Sequence, residues 1–408
     1  MKKILSLYYR PKPGGFCKRL SMAYEAFAER GWEVHYLSLE EFSVRHPNIH
    51  HHKIPMPFKK REDVFFWLNF FVVSVFALAR AQARLGADAI VVFGPFYSFI
   101  AAPCRLFRKA RIILFSRGEL LKSLTETRTG IGRPFILMAY RWVRRIGYQA
   151  SDAIIFNSKS LAEKAKKEFP SKKDKISVQL NDIPPLPPRA KSEALAALKK
   201  EFPLGEHPFI LISVGRLHPG KNLEFLLRIF LRVLEKIRAE NIFLFIVGDD
   251  PLTGASEKAK LASLIDTHGR GRVFVTGWRS DVDAFYAAAD VFLIPSRHEG
   301  SPNSLLEALR YDLPCLGSDI EEIRDILEYD HLTFSLDEAG LEKAAGLIAQ
   351  MRDNPDIRTD ILSLCSAIRR RLTFNWKGEV CRVVGQFLNE PPSGRDPVSM
   401  QSEKENIS

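Results

Sequence analysis

The feature that most restricts how this chain can fold is an alternation of short apolar runs with helix-length segments. In the first half the runs are KKILSLYY near the start, EVHYLSL after Gly31, DAIVVFG (88–94), ARIILFS (110–116) and DAIIFNS (152–158). A strand with one face in water would alternate apolar and polar side chains. These runs are apolar on both faces, so helices must cover both sides of a parallel sheet. A second series runs through PFILISVGR (208–216), NIFLFIVGD (241–249), RVFVTGW (272–278), DVFLIPS (290–296) and LPCLGSD (313–319). Between the two lies NDIPPLPPR (181–189), whose four prolines can sustain neither a helix nor a central strand.

The expected fold class is therefore α/β, with two doubly wound, Rossmann-like domains facing each other across a cleft. A length of 408 residues supports two cores. The spacing predicts a first domain over 1–183, a linker over 184–207 and a second domain over 208–372. A closing helix over 373–389 would cross back to the first domain. The Pro/Ser/Glu-rich segment 390–408 has the composition of a disordered tail. In such sheets ligands bind beyond the carboxyl ends of the strands, where the strand order reverses.

Charge separates the halves. Residues 1–190 carry 33 Lys and Arg against 15 Asp and Glu, whereas residues 191–408 carry 27 against 33. The first half should face something anionic. No helix-turn-helix or aromatic-rich single-strand motif accompanies the charge, so a nucleic-acid partner is not expected. The five cysteines are scattered and form no C-x-x-C pair, which suits a reducing, cytoplasmic setting. MKKILSLYY ends at Tyr9-Arg10-Pro11 without a cleavage-like site and reads as a strand, not a secretory signal. The apolar run Val64–Ala79 is sixteen residues, short of a bilayer span, and reads as a buried or surface-seated helix. A helix over 133–149 places Phe135, Met138, Trp142 and Ile146 on one side and Arg141, Arg144 and Arg145 on another. Such a helix suits contact with an anionic membrane surface, and equally reads as an ordinary helix with its polar face in water.

The chemistry concentrates in RHEGSPNSLLE (297–307). A buried strand ends at Pro295, and a helix is expected to start with Ser301 as N-cap and Pro302 at its first position. Helix-start amides form an anion site. Glu299 precedes that site and Glu307 lies nearly two turns beyond it, so the two carboxylates do not form an acid/base pair. They suit a ligand with a polyol ring at either end and a diphosphate between. Taken alone, the residues also fit a solvated loop and an exposed helix. In VGRLHPGKN, Arg216 and Lys221 follow a strand end and suit a diphosphate, Arg as a fork and Lys as a point charge.

The pattern VGRL-x-P-x-KN-LE, followed about eighty residues later by E-G-x-P-N-x-x-x-E-A, resembles the group 1, or family 4, retaining glycosyltransferases of GT-B fold. PKPGGFCKRLSMAYEAF, ASDAIIFNS and FNWKGEVCRVVGQFL resemble other parts of that family, so the likeness runs along the whole chain. It implies that Arg216 and Lys221 bind the donor diphosphate. Glu299 would contact the transferred sugar and stabilise charge at its ring. Gly300, Ser301, Pro302, Asn303 and Ser304 would hold sugar and phosphates through the backbone, and Glu307 the ribose. Gly14 and Gly15 would approach the phosphates from the first domain. Where many relatives have a histidine, this chain reads ILFSRGEL, making Arg117 an acceptor- or phosphate-side residue. Asn181-Asp182 replaces the usual Asn-Gly, and the glycine pair after SD is missing. Both changes bear on the acceptor and on the domain geometry.

The resemblance implies a co-substrate nucleotide sugar, a glycan or lipid-linked acceptor, no cofactor and no metal. GDDP (248–251) is not a D-x-D motif. His50, His51 and His52 read as consecutive residues of a loop, lacking i,i+4 spacing and a carboxylate partner. The expected function is retaining transfer in surface polysaccharide or glycolipid synthesis. A sugar-nucleotide epimerase, a glycan phosphorylase and a silent sugar-nucleotide-binding scaffold are the alternatives.

Overall fold

A computed structural model describes residues 1–11, 15–56, 64–106, 110–116, 133–183, 189–237, 241–250, 253–269 and 271–388. The chain forms two compact units. Of the described residues, one holds those of 1–116 and 133–180 and takes back the chain at 374–388; the other holds those of 181–373.

In the first unit, the parallel strands are β1 (Lys3–Leu7), β2 (Glu33–Ser38), β3 (Ile49–Lys53), β4 (Ala89–Phe93), β5 (Arg111–Ser116), β6 (Ala153–Phe156) and β7 (Ile176–Val178). Their order is β3-β2-β1-β4-β5-β6-β7. Alternate side chains of β1 enter different cores. Leu5 and Leu7 pack on one face with Ile90, Val92 and Leu114; Ile4 packs on the other with Val34, Val91 and Ile113. Helix α1 (Gly15–Glu29) covers the second face together with the C-terminal helix, described below. On the first face lie α2 (Val64–Leu85), α3 (Pro95–Ala101), α4 (Arg133–Ala150) and α5 (Lys159–Glu168). Gly147 lets α4 approach α3 closely, since a Cβ there would overlap the carbonyl oxygen of Pro95.

The segment expected to be a linker contains helix α6 (Lys191–Lys199), within the second unit. There the strands are β8 (Phe209–Val214), β9 (Ile242–Val247), β10 (Val273–Gly277), β11 (Val291–Ile294), β12 (Cys315–Ser318) and β13 (Thr333–Phe334), in the order β10-β9-β8-β11-β12-β13. All pairings are parallel. This is the Rossmann order, with its switch point between β8 and β11. Helices α7 (Leu223–Ile237), α8 (Gly254–His268), α9 (Val282–Ala288), α10 (Asn303–Arg310), α11 (Glu321–Leu327), α12 (Glu338–Asp353) and α13 (Pro355–Leu372) surround it. The chain ends its described course in α14 (Trp376–Phe387), which belongs to the first unit.

Two local expectations are corrected. His50, His51 and His52 do not sit in a loop; they form the centre of β3, in register with β2. The apolar run at Val64 belongs to a 22-residue helix, longer than the sixteen residues of its apolar core. The stretch Phe65–Leu85 is long and apolar enough to cross a membrane by composition. One of its faces is nevertheless committed to the core through Phe66, Phe70 and Leu78.

Candidate active site

The carboxyl ends of β8 and β11 flank the switch point of the second sheet, and the loops leaving them carry the charged groups. After β8 comes Gly215, Arg216 and a 3-10 turn, Pro219–Lys221. His218 stabilises the turn by accepting the Gly220 N–H at Nδ1, 3.1 Å away. Asn222 then takes a left-handed conformation (φ 53°) before α7 begins. The loop after β11 is anchored on this turn. The Arg297 N–H donates to the Gly220 carbonyl at 2.9 Å, and the Arg297 guanidinium donates to Asn222 Oδ1 at 3.1 Å.

That double attachment brings the sequence-predicted charges together. Lys221 Nζ donates to Glu299 Oε1 at 2.5 Å, and Ser296 Oγ donates to the same oxygen at 2.6 Å. Ser318, at the end of β12, donates to the Ser296 carbonyl at 2.5 Å and steadies the loop from its far side. The Glu299 side chain is only 10% exposed, so its attraction to Lys221 is screened little by solvent. Arg216 and Lys221 line one small pocket with Ser213, Gly215, Pro295 and Ser296. Arg216 reaches the buried Asp250 at 3.2 Å while leaving most of its guanidinium in solvent. Asp250 in turn accepts the Thr253 N–H at 3.1 Å. Gly248 makes this approach of loops possible. Its φ is 136°, and a Cβ there would overlap the Gly215 carbonyl oxygen.

Helix α10 begins one residue later than expected: Pro302, not Ser301, occupies the N-cap position (φ −70°, ψ 106°), and no side chain caps the helix. Ser301 and Asn303 are tied to the start of this unit, because Asn181 Nδ2 donates to Ser301 Oγ at 3.3 Å and to Asn303 Oδ1 at 3.2 Å. Gly300 lies in the loop and Ser304 in the first turn of the helix. Glu307 accepts from the Tyr286 hydroxyl at 3.1 Å, and that hydroxyl also lies 3.2 Å from the Ser304 carbonyl. Burial, reinforced by the Glu307 carboxylate, raises the Tyr286 pKa well above the ordinary phenol range, which keeps it a donor.

Asp250, Tyr286, Ser296 and Asn181 are site residues that motif spacing did not single out. Gly15 opens α1 in the first unit. Gly14 and Arg117 lie outside the described residues. Ser116, just before Arg117, is buried and bonded to the Tyr148 hydroxyl at 3.0 Å.

A carboxylate beside a strand end, two cations lining one pocket and an uncapped helix start suit a ligand with an anionic centre and hydroxyl-rich flanks. The comparisons with known proteins agree with that chemistry. Residues 208–364 match the family described as "Glycosyl transferases group 1", and residues 14–183 match "Glycosyltransferase Family 4". The chain belongs to the group 1, family 4 glycosyltransferases. It is similar to the UDP-Gal:alpha-D-GlcNAc-diphosphoundecaprenol alpha-1,3-galactosyltransferase of Escherichia coli, 29% identical over 190 residues. That match covers 46% of this chain and 48% of the relative, about half its length. A second relative is the N-acetyl-alpha-D-glucosaminyl L-malate synthase of Bacillus anthracis, 24% identical over 74% of this chain and 75% of that protein. Among solved structures, the Anabaena protein HepE in complex with UDP and glucose superposes with a TM-score of 0.72 at 15% identity, covering 96% of this chain and 100% of that one. The two parallel sheets are those of the GT-B fold.

Proposed function

We propose that this chain transfers a sugar, with retention of configuration, from a nucleoside-diphosphate donor held by the second unit. The acceptor is a hydroxyl of a glycan or lipid-linked molecule held by the basic first unit. The observation that carries this reading is the Lys221–Glu299 contact beside Arg216 at the switch point. Without ligand, both cations rest on carboxylates: Lys221 on Glu299 and Arg216 on Asp250. A bound diphosphate draws the cations onto its oxygens and frees Glu299 to meet the sugar. As the sugar–phosphate bond breaks, positive charge grows on the ring and negative charge on the departing diphosphate. Glu299 stabilises the first, and Arg216, Lys221 and the α10 amides stabilise the second. The acceptor hydroxyl attacks from the face the diphosphate leaves, and a departing phosphate oxygen takes its proton. Glu307, oriented by Tyr286, accepts hydrogen bonds from the ribose.

The surface of the first unit favours a membrane-borne acceptor over a soluble one. On α2 an exposed stripe runs Phe65, Leu68, Val72, Phe76, and continues as Arg80 and Arg84. On α4 the exposed stripe is Phe135, Met138, Trp142 and Ile146, beside the exposed Arg141 and Arg145. Arg144 is instead engaged with Glu168 and lies over the rings of Tyr148 and Phe169. Neither helix contains an acidic residue. Aromatic stripes bordered by arginine alone suit the headgroup level of an anionic bilayer, where the rings enter and the guanidinium groups meet phosphates. Spanning the bilayer would strip Phe66, Phe70 and Leu78 out of the core, so α2 lies along the surface. The undecaprenol-linked acceptor in the name of the E. coli relative is of the same class.

The deciding experiment is a thermal-shift panel of UDP-, GDP- and CDP-sugars and free nucleotides, followed by transfer assays with the stabilising donor. One nucleotide family should raise the Tm of the wild type and not that of Arg216→Ala/Lys221→Ala. Donor conversion without any acceptor would favour an epimerase.

A further inference from the structure

In the first unit, β2 and β3 gather four side chains on one face of the sheet. Glu33 and His35 are two apart on β2, and His50 and His52 are two apart on β3, so the pleat turns all four the same way. The register sets His35 opposite His50. His51 points to the other face, where it stacks on Tyr36 at 5.0 Å. The His50 Nε2 and His35 Nε2 atoms lie 3.7 Å and 3.0 Å from the same carboxylate oxygen, Glu33 Oε1. All three donor atoms lie within 4.8 Å of one another. Ligands at about 2.0–2.1 Å from a tetrahedral zinc ion stand roughly 3.3 Å apart, and the two histidine–carboxylate edges, 3.0 and 3.7 Å, bracket that spacing.

Two further observations point to a cation. His35 is 5% exposed, and its Nε2 makes no well-formed hydrogen bond although Glu33 Oε1 is 3.0 Å away. Its other nitrogen, Nδ1, is 2.9 Å from His52 Nε2. When Nδ1 donates to His52, the Nε2 lone pair faces a carboxylate oxygen, an arrangement that repels until a cation enters between them. This is the outer-shell device by which metal-binding histidines are oriented. Lys3 Nζ lies 3.3 Å from the second oxygen, Oε2, leaving Oε1 available. The exposed side of His50 gives an ion access and leaves room for water.

We propose that Glu33 Oε1, His35 Nε2 and His50 Nε2 form a binding site for a zinc-type divalent ion, with His52 as its orienting partner. Two imidazoles and one carboxylate favour zinc or cobalt over magnesium or calcium, which take oxygen ligands. Because Glu33 opens β2, the site lies toward the amino ends of the strands, away from where this fold places its chemistry. Its role is to pin edge strand β3 to the sheet.

The test uses the full chain, stripped with a chelator and titrated with zinc by calorimetry and against a chromophoric chelator. Cobalt absorption reports the coordination. The wild type should bind one tight equivalent, gain Tm with zinc and show tetrahedral cobalt bands. His50→Gln, at an exposed side chain that the core does not need, should lose the tight equivalent and the Tm gain. His52→Gln should bind about 10–100-fold more weakly, and His51→Gln should match the wild type. Equal binding by wild type and His50→Gln, loss of binding in His51→Gln, or no tight equivalent at all would each overturn the proposal.

Discussion

The two units share a parallel scaffold with the same strand order about β1 and β8, yet they differ in where their charge and apolar surface lie. The second unit turns the polar and charged groups of its loops onto one another: Lys221 on Glu299, Arg216 on Asp250, and Tyr286 on Glu307. Its exposed large apolar side chains, such as Leu264, Trp278 and Tyr329, are scattered. The first unit does the opposite, setting two aromatic stripes and four exposed arginines on the outside of α2 and α4. On the function proposed above, the same scaffold carries a small-ligand site in its loops in one unit and a docking face on its outer helices in the other. The fold does not decide between those uses; the loops and exposed helix faces do.

Substitutions can break this contrast, and the largest effect is expected in the inward-turned loops. Glu299→Ala should lower the transfer rate by about 10²–10³-fold, with donor affinity changed far less, as for a group that acts on charge in the transition state. A single-turnover assay beside donor titration separates the two. Transfer at the wild-type rate would remove Glu299 from that role. Gly248→Ala should come next, through the fold itself. A positive φ and the overlap with Gly215 should cost about 1–3 kcal/mol or more, seen as a lowered denaturation midpoint and weakened donor binding. On the outward-turned face, Phe76→Glu with Trp142→Glu should abolish binding to anionic vesicles at low salt while leaving donor thermal shifts intact. Arg141→Gln alone should cost about 1 kcal/mol of vesicle binding, roughly fivefold, and the loss should shrink as salt rises. Unchanged vesicle binding in the double variant would leave a soluble acceptor as the better reading. Comparable in size to the Arg141 change is Tyr286→Phe, which removes one hydrogen bond to Glu307 and should weaken nucleotide binding by about 0.5–1.5 kcal/mol. Its effect should be absent for a donor analogue lacking the ribose hydroxyls.

The central strands were legible because burial on both faces forces them to be apolar throughout: β4 (AIVVF) and β9 (IFLFIV) are wholly buried. The strands that escaped notice are at or near sheet edges. β3 reads IHHHK, β7 is three residues after a lysine-rich turn, and β13 is only two residues. An edge strand needs one paired neighbour and little apolar surface, so its periodicity is faint. In the site, Arg216, Lys221 and Glu299 could be found from their places at strand ends. Asp250 and Ser296 could not, since they act through distances that only the folded loops create. Asn181 drew notice only beside its departing neighbour Asp182, but its amide reaches Ser301 and Asn303. The start of α10 was placed one residue early because serine and proline both suit a helix entrance.

Trp376 in α14 is almost wholly buried in the first unit, beneath Arg19 of α1 at 5.1 Å, and Val380 and Val384 join the same core as Ile4 and Leu20. The core of the first unit therefore cannot close until the chain has run on through Trp376, Val380 and Val384. During synthesis the second unit completes while the first still waits, so a stop codon placed before Trp376 would strand the earlier-made half with an open apolar seam.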